Sequence, residues 1–198
     1  MDFTFLQAKI MNSIVVGIDE AGRGPWAGPV VAAAVILPYN IVGVDDSKKL
    51  SIKKREILFV EIMSVAKVGI GIASVAEIDQ FNILAATMLA MQRAYTELYC
   101  YADLVLIDGN RAPRIEAKEV KTIIQGDATE PCISAASIIA KVTRDRIMQE
   151  LDQQFPQYLW KKNSGYGTKA HLNAIKEHGV TNYHRKSFKP VKNFLLKA

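Results

Sequence analysis

The stretch GIDEAGRGPWAGPV, Gly17 to Val30, puts two adjacent carboxylates, Asp19 and Glu20, at the end of an apolar run and follows them with an arginine between two glycines. Two more aspartates occupy comparable places: Asp108 closes LVLID, and Asp127 follows TIIQG just ahead of the segment opening at Pro131. Carboxylates crowded together raise one another's pKa unless cations intervene. Hard divalent ions with oxygen ligands are the natural remedy, and a pair of Mg²⁺ or Mn²⁺ ions ~3.5 to 4 Å apart is the usual machinery for cutting phosphodiesters. The bland alternative gives each acid a structural role, with Asp108 capping a turn in DGN, Asp127 capping a helix, and Asp19-Glu20 forming a solvated strand end. It serves for any one of them better than for all of them together.

The glycines invite a dinucleotide reading, which fails. Spacing from Gly22 is G-x-G-x-x-x-G, Pro25 interrupts it, and a strand follows where that fingerprint requires a helix. No phosphate-loop motif of the Gx4GK[ST] type occurs either.

Positioning these acids requires strands that end together. SIVVGID (13–19) and VVAAAVIL (30–37) read as neighbouring strands joined by a tight loop. Ser51 stands as N-cap to a helix of roughly four turns, KVGIGIAS returns as a strand, and Ser74 with Glu77 forms a capping box. Residues 82–99 continue that helical region, DLVLIDG and VKTIIQG are further strands, and 131–155 is a long helix with Pro131 in its first turn. Strands alternating with helices predict one α/β domain, a mixed sheet flanked by helices. The expected division is an arm over 1–12, a catalytic domain over 13–160, and a small helical C-terminal extension over 161–198 leaning beside the site. In a regular strand Asp19 and Glu20 point to opposite faces, so both serve one site only if the strand ends or bends at Glu20.

Composition narrows the partners. The 198 residues are 49% hydrophobic, enough for one good core, and carry a net charge of +5, which favours anionic partners such as nucleic acid. Cys100 and Cys132 lie far apart with no CxxC, and neither a signal peptide nor a membrane-length apolar run is found, so a cytoplasmic protein is expected.

Taken with DDSKKL, LIDGN, GDATEPCISAASIIAKVTRDRIM, SGYGTKAHLNAI and HRKSF in that order, the opening stretch resembles the bacterial ribonuclease HII family, the type 2 ribonucleases H. The resemblance runs from about Ile14 to HRKSFKPV. It implies an RNase H-like fold, a requirement for Mg²⁺ or Mn²⁺, and cleavage of RNA in RNA/DNA hybrids and at ribonucleotides embedded in duplex DNA. Carried over by position, Asp19, Glu20 and Asp108 become the core metal ligands with Asp127 the fourth carboxylate, and Gly22-Arg23-Gly24 touches the ribose 2′-hydroxyl. Two ions in the substrate complex and 5′-phosphate and 3′-hydroxyl ends are implied as well.

Helical periodicity puts Ser134, Ser137, Lys141, Arg144 and Asp145 on one stripe, where the family match favours contact with a phosphate backbone, Asp145 excepted. Lys48 and Lys49 are similar candidates. The family places Tyr166 against the sugar beyond the cut, whereas His171, His178 and His184 are expected to be surface or structural. The tail KNFLLKA lacks the features of a sliding-clamp peptide, so a monomer without a clamp partner is expected. Two alternatives remain: a noncatalytic hybrid-binding module, and the sister ribonuclease HIII type, which usually carries a sizeable N-terminal domain for which this chain has no room.

Overall fold

A computed structural model describes residues 13–44 and 50–196; the expected arm over 1–12 and the candidates Lys48 and Lys49 lie outside the described residues. Five strands form a mixed sheet in the order β3-β2-β1-β4-β5, with β1 Val15–Ala21, β2 Val30–Ile36, β3 Lys67–Ala73, β4 Leu104–Asp108 and β5 Val120–Ile123. Strands β1, β2 and β3 pair antiparallel in turn, whereas β1, β4 and β5 run parallel, which brings the carboxyl ends of β1 and β4 to one edge of the sheet. The helices are α1 Ile52–Val65, α2 Val75–Thr96, α3 Pro131–Gln154, α4 Trp160–Asn163, α5 Lys169–His178 and α6 Lys189–Leu195. This is the α/β architecture with a flanked mixed sheet that the sequence predicts.

Alternation along the strands decides which helix each side chain meets. Val15 of β1 and Leu104 and Leu106 of β4 pack with Leu58 and Ile62 of α1 and Ile133, Ala136 and Ala140 of α3. Val16, Ile18, Val105 and Ile107 pack on the other face with Ala86, Ala90 and Ala94 of α2. Asp19 and Asp108 continue the first set by parity. They also stand abreast, because the parallel register runs from Val15↔Leu104 to Ile18↔Ile107. Helix α3 lies so close to β1 that a Cβ on Gly17 would fall on the backbone of Cys132 and Ile133.

Local signals at the helix starts are met. Ser51 accepts a hydrogen bond from the Lys54 amide, and Ser74 and Glu77 close a full capping box. Helix α2 departs from the expected continuous segment, since Asn82 has φ 69° and breaks it. Its Oδ1 then accepts from the amides of Leu84 and Ala85, so Asn82 caps the second part. Both cysteines are free, and burial pushes the Cys132 thiol up to about 12.

The loop joining β1 to β2, residues 22–29, is longer than the expected tight turn and is held from outside. The amide of Trp26 donates to Gly165 and that of Gly28 to Tyr183, and Ala27 bridges His184. Behind it a third apolar cluster joins Ala27, Met148 and Leu151 to Tyr158, Trp160, Ala174 and Ile175. Among the described residues no helix is long and apolar enough to cross a membrane.

Candidate active site

Asp19, Asp108 and Asp127 each offer a carboxylate oxygen, and these oxygens all lie within 4.8 Å of one another. Strand ends supply the first two. A 3₁₀ turn over Gly126–Ala128 supplies the third, fixed where Ser134 of α3 donates to the Asp127 carbonyl at 2.7 Å and the Gly126 amide donates to Asp108 Oδ1 at 2.8 Å. Burial, then the charges of Glu20 and Asp108, hold the Asp19 carboxyl well above the usual carboxylate range, against hydrogen bonds from the Ser137 hydroxyl and the Glu20 amide. Such a cluster suits a hard divalent ion: all its donors are oxygens, and Asp19 and Asp127 are almost wholly withdrawn from the water that would otherwise screen them.

Glu20 lines the same cavity but stands beside this trio. Pairing with β2 continues through Ala21↔Val31, so the strand does not end at Glu20, yet Glu20 and Asp19 both line the cavity. Glu20 Oε1 accepts from Arg23 Nη1 at 3.1 Å. The cavity, about 480 Å³, is walled by Asp19, Glu20 and Asp108 together with Gly22, Arg23, Gly24, Arg55, Ser137, Lys141, Arg144 and Tyr166, with Asp127 reaching the cluster from behind this wall. A recess of about 560 Å³ near Tyr95, Tyr99 and Arg114 is slightly larger, but it holds none of the clustered acids. Chemistry rather than volume therefore selects the smaller one.

The Ribonuclease HII family model matches residues 16–191. The chain belongs to the ribonuclease HII family. A ribonuclease HII from Magnetococcus marinus is 58% identical over 199 residues, covering 98% of this chain and 93% of the relative. One from the Wolbachia of Brugia malayi is 52% identical over 200 residues, covering 100% and 97%. Among solved structures, the ribonuclease HII of Archaeoglobus fulgidus, determined in a complex with PCNA, aligns with a TM-score of 0.75 at 26% identity over 89% of this chain and 95% of that one. Bst-RNase HIII in complex with Mn²⁺ shares the fold at 21% identity, with a TM-score of 0.76 over 94% of this chain and 70% of that one. The protein is accordingly an endonuclease, a phosphodiester hydrolase of the type 2 ribonuclease H class.

Within this ribonuclease HII framework the expected stripe on α3 divides. Ser137 faces Asp19 and the cavity, and Lys141 reaches it while paired to Asp145 at 2.6 Å. Ser134 is buried beneath the Asp127 turn and is absent from the cavity wall. Arg144, expected at the phosphate backbone, lines the cavity but is 1% exposed and donates to the carbonyls of Ala27, Pro29 and Ser164, so it also holds loops. The Tyr166 ring, half exposed, comes within 3.3 Å of where a Cβ on Gly24 would sit.

The sequence reading missed Arg55, which lines the cavity from the first turn of α1, and Arg185, fully buried under the 22–29 loop. His171 and His184 are structural, as expected, and both are wholly buried. Trp160 Nε1 and His184 Nε2 each lie 3.1 Å from His171 Nε2, while His171 Nδ1 meets the Tyr166 carbonyl at 2.9 Å. One pair of neutral tautomers satisfies all of these contacts, with His184 Nδ1 accepting from the Thr181 amide. Burial, reinforced by His171, lowers His184 from 6.5 to about 3. Below pH 6.5 the unfolded chain takes up a proton that the folded chain refuses, so this stability is complete above 6.5 and is lost as pH falls toward 3. Thermal unfolding across that range should show a slope of up to ~1.4 kcal/mol per pH unit from this group. In His184→Gln the slope should flatten.

Proposed function

We propose that the protein cleaves the RNA strand of RNA/DNA hybrids and nicks duplex DNA on the 5′ side of embedded ribonucleotides. The observation that carries this reading is the clustering of Asp19, Asp108 and Asp127, the first two of which line a cavity rimmed by Gly22-Arg23-Gly24 and Tyr166. Asp19, Asp108 and Asp127, with Glu20 alongside, would hold two divalent ions, Mg²⁺ or Mn²⁺. When bound, such ions supply an activated water and stabilise the leaving 3′ oxygen, giving 5′-phosphate and 3′-hydroxyl ends.

The chain's own groups do the rest. Ser137 orients the Asp19 carboxylate, and the Asp108–Gly126 hydrogen bond ties one strand-end acid to the turn that carries Asp127. Gly22, Arg23 and Gly24 meet the ribose 2′-hydroxyl, with glycine at 22 because its φ is +100° and a Cβ there would run into Arg144. Tyr166 packs against the following sugar and senses the ribo-to-deoxyribo junction. Lys141, and Lys48 and Lys49 with it, meet backbone phosphates.

PCNA belongs to the Archaeoglobus fulgidus complex. For this chain the reading is a monomer acting without a clamp, in the cytoplasm.

A labelled RNA/DNA hybrid incubated in Mg²⁺, Mn²⁺ or EDTA tests the reading. Internal cleavage of the RNA strand is expected with either metal and none in EDTA; tight binding without cleavage would instead make the chain a hybrid-binding module.

A further inference from the structure

Arg185 is fully buried, yet its guanidinium meets backbone carbonyls rather than a carboxylate: Nη2 donates to Gly22 at 2.6 Å and to Pro29 at 3.2 Å, Nη1 to Arg23 at 2.9 Å, and Nε to Gly28 at 2.9 Å. Arg144 lies beside it, donating from Nε to Pro29 at 3.0 Å and from Nη2 to Ala27 at 3.0 Å. Two like charges thus share the Pro29 carbonyl beneath one loop. Such a pair is costly to bury unless a fixed array of acceptors compensates it.

The array also orients the cavity wall. No cis peptide occurs among the described residues, and in a trans peptide the C=O and the next N–H point in opposite directions. Holding the carbonyls of Gly22 and Arg23 against Arg185 therefore turns the N–H groups of Arg23 and Gly24 away from it, in a segment that walls the cavity. The segment carrying Arg185 is itself anchored, because the amides of Lys186 and Ser187 both donate to the Asp79 carboxylate at 2.9 Å.

We propose that Arg185, supported by Arg144, is a positioning residue for ribose recognition: it fixes the peptide planes of Gly22-Arg23-Gly24 so that their N–H groups are presented to the 2′-hydroxyl. This rests on the recognition role given to that loop above. Lysine keeps the charge but loses the planar fork that grips several carbonyls at once.

The test compares wild type, Arg185→Lys and Arg144→Lys on duplex DNA bearing one ribonucleotide. It reads kcat and KM, with Mn²⁺ affinity by calorimetry and thermal unfolding alongside. For Arg185→Lys, kcat is expected to fall by ~10²-fold, the scale of a ~1 Å misplacement, with KM and Mn²⁺ affinity little changed and the fold intact at the assay temperature. Arg144→Lys, which leaves the Gly22 and Arg23 carbonyls gripped, should fall in the same direction by less. Wild-type kcat in a folded Arg185→Lys overturns the proposal, and so does a loss that Mn²⁺ affinity shares in full. If Arg185→Lys does not fold, wild-type kcat in Arg144→Lys overturns it. Failure of the wild-type enzyme to cut the ribonucleotide duplex would refute the recognition reading itself, before either variant is considered.

Discussion

Asp19→Asn is expected to reduce cleavage by ~10³-fold or more while leaving the metal-free protein at least as stable as before. Asp19 is 3% exposed, and burial together with Glu20 and Asp108 disfavours its charge. An amide of the same shape can still accept the Glu20 amide, which reaches Oδ1 at 2.7 Å, and it removes the repulsion. The folded chain therefore keeps its local bonds and loses an electrostatic burden. Divalent ions reverse the comparison: they bind only the native cluster, so Mn²⁺ should raise the unfolding temperature of wild type and leave that of the variant nearly unchanged. Asp108→Asn should behave alike, since its Oδ1 can still accept from Gly126. Activity and metal-dependent thermal shift, measured on the same samples, check both halves. An Asp19→Asn protein that cuts normally, or that Mn²⁺ stabilises as much as wild type, would refute the metal-centre assignment.

Gly17→Ala should be among the most damaging changes of a single methyl group. The new Cβ would overlap the Cys132 carbonyl and the Ile133 nitrogen, which are backbone atoms in the first turn of α3 and cannot rotate aside. The helix must lift or the strand must bend, and overpacking of this kind costs ~1–3 kcal/mol or more. Because the Asp127 turn leads directly into α3 and Ser137 projects from it, lifting the helix also spreads the carboxylates. A fall in unfolding temperature should accompany a loss of cleavage and of Mn²⁺ affinity in the fraction that remains folded. Wild-type stability and activity in this variant would show that the close approach of α3 to β1 is not needed.

Much of this centre was legible because strand alternation is a simple rule. Asp19 and Asp108 end apolar runs of matching parity, and a parallel register places them side by side. Asp127 was legible from its place between a strand and a helix. Glu20 was less so, because its tether to Arg23 and the continuation of β1 through Ala21 depend on pairing with β2, which its own neighbours do not encode.

Burial of polar groups was the main thing the sequence concealed. Helical period placed Ser134 and Arg144 on one stripe with Lys141, but it does not say which part of a long helix is covered on every side. For Arg144 the covering comes from the 22–29 loop and from Ser164, and for Ser134 from the Asp127 turn. His184 and Arg185 lie in a polar segment without apolar periodicity, so their burial follows from hydrogen bonds, whereas His171 shares the buried face of α5 with Ala174 and Ile175. The break at Asn82 was hidden in the opposite way, since apolar residues continue across it at helical spacing.

The most direct measurement is the cut itself, mapped with its end groups on duplex DNA containing one ribonucleotide, in Mg²⁺, Mn²⁺ or EDTA. The expected result is a nick on the 5′ side of the ribonucleotide with 5′-phosphate and 3′-hydroxyl ends, absent in EDTA. A nick that persists in EDTA, or a 2′,3′-cyclic phosphate end, would contradict it, because the 2′-hydroxyl would then be the attacking group and the aspartate cluster would not be the metal centre of the reaction.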